Sequence, residues 1–209
     1  MTLSNKDIII TDTMASYRTT RFLQISFVVL VVALVIGVIA YIGRLLFFPP
    51  LNVTTPDAGK TSLVSTSADR AVRMTVRGLI VADEDFRTYQ IQITPNDRVL
   101  ALSKGYLNQQ FDSIKLGNNI PSYEQFVYAL NAVGMMSGSQ LTGDKNETRG
   151  ICATGKLYEF EVLNAGKTVK MLWATTCSDT SGSETASISV LRELFTKQIP
   201  GATVKIGRL

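Results

Sequence analysis

Residues 150–179 read GICATGKLYEFEVLNAGKTVKMLWATTCSD. Two alternating apolar and polar runs flank Asn164-Ala165-Gly166-Lys167, and a Gly-bearing turn between such runs predicts a β-hairpin. With Ala165 and Gly166 as the loop, Val162 faces Val169, Phe160 faces Met171 and Tyr158 faces Trp173, while Glu161 faces Lys170 on the opposite side. One face is then apolar and the other charged. The same register sets Cys152 opposite Asp179 rather than Cys177, an offset of two residues that a bulge or flared strand ends can absorb. The expectation is a structural Cys152–Cys177 disulfide at the hairpin base. A redox switch and a lone reactive thiol are the alternatives, although the Cys-x-x-Cys spacing of redox centres is absent.

Working outward, Ser181-Gly182-Ser183-Glu184 has the spacing of a capping box, and Ile188, Leu191, Leu194 and Phe195 follow at helical intervals. Pro200-Gly201 stops that helix, and Ala202–Ile206 alternates as a terminal strand with Val204 and Ile206 inward. Upstream, Val72, Met74 and Val76 alternate with Arg73, Thr75 and Arg77 in a strand extending to Ala82. Tyr89, Ile91 and Ile93 mark a second strand, and Thr94-Pro95-Asn96-Asp97 a turn into a third over Arg98–Ser103. Gly105–Leu116 reads as a turn or short helix. Ser122-Tyr123-Glu124-Gln125 opens a covering helix through Phe126, Leu130 and Val133. The fold class is α+β: an antiparallel sheet, made of a three-strand meander, a hairpin and a C-terminal strand, covered by two helices.

Phe22–Gly43 runs 22 residues without a formal charge, long enough as a helix for a bilayer core. Its length and the absence of a small-x-small cleavage site favour a retained anchor over a cleaved signal peptide. The expected organisation is a short cytoplasmic tail over 1–21, a transmembrane anchor over 22–48, a Thr/Ser/Gly/Pro linker over 49–67 and an extracytoplasmic domain over 68–209. Lys6, Arg18 and Arg21 precede the apolar run, while only Arg44 follows it before Lys60, which orients the N-terminus inward. Both cysteines fall on the outer side, where disulfides persist. The partners expected are the lipid bilayer through 22–48 and a protein at the envelope. From Pro49 onward there are 17 Lys/Arg and 15 Asp/Glu; that near balance gives no nucleic-acid signature.

With 18% charged residues, two cysteines and no histidine, the chain has no Ser-His-Asp or Cys-His triad and no imidazole ligand for a metal. Several weaker constellations have ordinary structural readings beside them. Asp83-Glu84-Asp85 lacks the spacing of a Ca²⁺ loop and reads as a solvated turn. Ser103-Lys104, with Ser113 and Lys115, would need a desolvated Lys to act as a Ser-Lys dyad. Tyr158 and Trp173 form either a ligand platform or core. Arg73 and Arg77 share one strand face and are the candidate polar binding face, suited to anionic wall polymer or lipid head groups. Asn52-Val53-Thr54 and Asn146-Glu147-Thr148 fit the N-glycosylation sequon.

RGLIVADEDFRTYQIQITP, NNIPSYEQFVYALN, RGICATGKLYEFEV and LRELFTKQIPG together resemble uncharacterised single-pass membrane proteins of small-genome, candidate-phylum bacteria, over about residues 68–201. The resemblance implies a bacterial cell-surface protein, accidental sequons and no assigned active site. The expected function is a non-enzymatic, membrane-anchored extracytoplasmic binding or scaffolding domain without catalytic residues, cofactor or metal. The alternatives are an accessory subunit of an envelope secretion, pilus or conjugation complex and, more remotely, a hydrolase using Ser/Lys or carboxylate chemistry.

Overall fold

A computed structural model describes residues 27, 29–39, 41, 57–180 and 182–207, and the chain divides into units at Met1–Thr55 and Pro56–Leu209. In the first unit residues 27, 29–39 and 41 are helical; we label 29–39 α1. The transmembrane helix expected over 22–48 is corrected here: among the described residues no helix is long and apolar enough to cross a membrane. The expectations placed on residues 1–26 and 42–56, including the tail and Asn52, lie outside the described residues.

The second unit contains α2 (Ala58–Leu63), β1 (Arg70–Arg77), β2 (Arg87–Ile93), β3 (Asp97–Lys104), β4 (Gln109–Gly117), α3 (Ile120–Ala132), a 3-10 turn (Gly143–Asn146), β5 (Leu157–Asn164), β6 (Lys167–Thr175), α4 (Ile188–Lys197) and α5 (Ala202–Ile206). The six strands form one antiparallel sheet in the order β4-β3-β2-β1-β5-β6. The fold is α+β. Strands β1–β4 follow one another as a meander; the chain then crosses by α3 and adds the β5–β6 hairpin to the other side of β1.

One face of the sheet carries Val72, Met74, Ile91, Ile93, Leu100, Phe160 and Leu172, all fully buried. Against it pack Val127 and Leu130 of α3 and Leu191 and Phe195 of α4. Phe195 meets Phe126 edge-on with ring centroids 5.2 Å apart, a favoured aromatic geometry. On β5 both faces are buried. The segment between α3 and β5 lies over its second face, where the Thr148 hydroxyl donates to Glu159 at 2.9 Å.

Several local expectations are overturned. The stretch read as linker contains α2, capped by Asp57, whose Oδ1 accepts from the Gly59 and Lys60 amides; Leu63 is fully buried in the core. The turn or helix expected over Gly105–Leu116 is β4, because Gly105 and Asn108 adopt positive φ and fold the chain back on β3. Asn119, not Ser122, caps α3, accepting from the Ser122 amide at 2.9 Å. The helix expected to open at Ser181–Glu184 begins later, at Ile188 after Ser187; Ser181 itself lies outside the described residues. The expected terminal strand is α5: Gly201 turns the chain at φ 83°, Ala202 is buried against α4 and Val204 faces solvent. A five-residue alternation does not separate strand from helix, and here packing of one turn against α4 decides.

The hairpin has its predicted loop, with Ala165 and Gly166 at φ 49° and 76°, as a type I′ turn requires. Its register does not persist. A shift between Val162 and Leu163 leaves Val162 opposite Lys170, Phe160 opposite Leu172 and Glu159 opposite Trp173. A one-residue slip reverses faces. Tyr158 therefore sits over the helix-covered face opposite Ala174, whereas Trp173 lies on the other face; both are buried, as the core reading expects, but they do not pair across the strands, and the alternative of a ligand platform does not form.

Candidate functional site

Arg73 and Arg77 project from the sheet face that α3 and α4 leave uncovered, beside two carboxylates of β5. Arg73 forms a fork: Nε donates to Glu161 Oε2 at 2.6 Å and Nη2 to Oε1 at 2.9 Å. Such a two-bond fork occupies both carboxylate oxygens. Arg77 differs. Its Nη2 stands 3.3 Å from Glu159 Oε2, and among the described residues its guanidinium makes no hydrogen bond. Glu159 is itself buried and takes the Thr148 hydroxyl on Oε1, which fixes the carboxylate that holds Arg77.

Arg77 opens onto a cavity of about 400 Å³, within the range of small-molecule sites. Its apolar wall comes from Ile80 of the β1–β2 loop, Phe86, Tyr106 of the β3–β4 turn, Ile151 and Leu157. The aromatic pair is a built feature, with ring centroids 4.2 Å apart and planes 14° from parallel. Tyr106 is held at both ends, its hydroxyl donating to the Val81 carbonyl and its amide to Asp83 Oδ1, each at 2.7 Å. The acidic turn thus positions Tyr106, and among the described residues no cluster suited to a metal ion forms.

The remaining wall, Thr148 to Cys152, is a loop without regular structure. Cys152 and Cys177 are joined by a disulfide, their Cα atoms 5.8 Å apart, so this wall is tied covalently to the residues after β6. The Ile80 amide donates to the Ala153 carbonyl at 2.9 Å, linking the two walls. At the rim Arg149 bonds Glu147 at 2.6 Å. That guanidinium bond, with the Arg149 amide, lowers the Glu147 carboxyl to about 2.

Other residues singled out in the sequence lie elsewhere. Lys104 is exposed at the end of β3, and Lys115 is exposed 3.5 Å from Asp97, so neither Ser-Lys pair has a desolvated amine. Of the sequon at Asn146, Thr148 is buried with its hydroxyl on Glu159. The two arginines were legible from strand alternation alone. Phe86, Tyr106, Thr148 and Glu159 were not, because three separate loops and β5 bring them together. No protein-family model matches the chain, and no curated protein matches it.

Proposed function

We propose that this domain is a non-enzymatic binding module of the cell envelope that receives a protein partner in the cavity beside Arg77. The observation that carries the reading is the pairing of a guanidinium whose hydrogen-bond donors are unspent with an apolar wall held in place before any ligand arrives. Preorganised walls lower the ordering cost of association, and Arg with aromatic residues is the composition of binding hot spots. The disulfide supports a place outside the reducing cytosol, and it braces the wall that Gly150, Ile151 and Cys152 supply.

Two measurements test this. Membrane-impermeant maleimide applied to intact cells should label Cys152 and Cys177 only after reduction; labelling that needs lysis but not reduction overturns the envelope placement. A photo-crosslinking residue at Ile151 should give one discrete protein adduct that the same residue at the exposed, distant Glu124 of α3 does not. Equal adducts from both positions, or none from Ile151, refute the cavity as the partner site.

A further inference from the structure

The contrast between Arg73 and Arg77 identifies the chemistry that the cavity takes. The two arginines stand four residues apart on one face of β1, each beside a glutamate of β5. Arg73 uses its planar fork on Glu161 at 2.6 and 2.9 Å. Arg77 has only the 3.3 Å approach to Glu159 Oε2, while the other oxygen of that carboxylate receives Thr148. A guanidinium carries five N–H donors in a geometry that matches a carboxylate. Those of Arg77 face a cavity with an apolar wall of Ile80, Tyr106, Ile151 and Leu157 and a polar lining of Asn108, Thr148 and Arg149. Arg149 at the rim is occupied by Glu147, so Arg77 is the cation that an entering anion meets.

We infer that the cavity binds a carboxylate carried on an apolar or aromatic body, as in the C-terminal residue of a protein chain ending in a large apolar side chain. The carboxylate completes the Arg77 fork, and the side chain lies against the Phe86–Tyr106 stack and Ile151. This rests on the cavity being the partner site, as proposed above, and adds the ligand class.

The test uses the full chain, isotope-labelled for amide NMR, titrated with three probes: N-acetyl-Gly-Gly-Phe with a free carboxylate, the same peptide amidated, and 3-phenylpropionate. The acid peptide should shift the amides of Gly78, Gly150 and Ile151, and it should bind at least about tenfold more tightly than the amide, the minimum for a charge-assisted hydrogen bond. Arg77→Gln should remove that preference, bringing the acid and amide peptides to equal affinity. Arg77→Lys keeps the charge beside Glu159 without the fork, and it should retain part of the preference if Arg77→Gln disturbs folding. A peptide affinity well above that of 3-phenylpropionate assigns the site to a chain terminus; equal affinities assign it to small free acids. Equal binding of acid and amide, shifts confined to regions away from Arg77, or no binding of any probe overturns the inference. If that occurs while the Ile151 crosslink still forms, the ligand class fails and the partner site stands; loss of both removes the two together.

Discussion

Replacing both Cys152 and Cys177 by Ser removes the one covalent link in the described fold, a closure across a sequence separation of 25 residues. Chain-entropy reasoning for a loop of that length gives about 3.5 kcal/mol, arising in the unfolded ensemble. The native state adds a second, local effect. Gly155 lies so close that a Cβ there would stand 2.8 Å from Cys152 Sγ and 3.1 Å from Cys177 Sγ, so the loop is packed on the bridge itself. Guanidinium denaturation followed by Trp173 fluorescence should therefore show the double Ser variant less stable by about 3 to 4 kcal/mol. Its m-value should be larger, because an uncrosslinked unfolded chain exposes more surface. Reduced wild type should match the variant. Hydrogen exchange should rise first at residues 148–156, the cavity wall, while β1, β2 and β3 keep their protection relative to the lowered global stability. A loss below about 1 kcal/mol, with an unchanged m-value, would refute the reasoning and mean that the β5–β6 hairpin already confines the reduced unfolded chain.

Three other expectations can be checked by the same unfolding assay. Lys170 is buried, donating to Asp57 Oδ2 at 2.6 Å and to the Met136 carbonyl at 2.9 Å; an Asp57→Asn, Lys170→Met cycle should give a coupling of about 1 to 2 kcal/mol, below a fully buried pair because Asp57 is partly exposed, and a coupling near zero would show that the pair contributes nothing to docking α2. Burial raises the Glu184 carboxyl to about 6, against the Ala186 and Thr185 amides and the Lys170 charge. The native state then binds the proton more tightly than the unfolded state, so this group adds stability as pH falls from about 6 toward 4.5, by up to about 2 kcal/mol. Glu184→Gln should flatten that part of the pH–stability profile and stabilise the protein at pH 7, and an unaltered slope would reject the assignment. Gly182→Ala places a Cβ on the Trp173 carbonyl, where the Glu184 amide donates at 3.0 Å; it should cost about 2 kcal/mol or more and expose the edge of β6 to exchange, whereas a neutral result would show that this strap yields freely.

The sequence by itself determined the elements that rest on near-neighbour chemistry. The alternations at Val72–Val76 and Tyr89–Ile93, the turn at Thr94–Asp97 and the Ala165-Gly166 loop all stand in the structure, because side-chain period and turn φ values are local properties. Tertiary structure decided the rest. Leu63 joins the core in the packed fold, where Lys170, more than a hundred residues later, meets Asp57; no local pattern distinguishes that helix from a polar linker. The slip beside Val162 parted Tyr158 from Trp173, since a bulge depends on how β5 fits between β1 and β6 and not on the hairpin alone. The cavity follows the same rule: Arg77 was visible as a cation on a strand face, but the walls around it come from the β1–β2 loop, the β3–β4 turn and the segment before β5. Pairing between distant segments is set by the packed fold, and a pattern read along the chain carries no record of it.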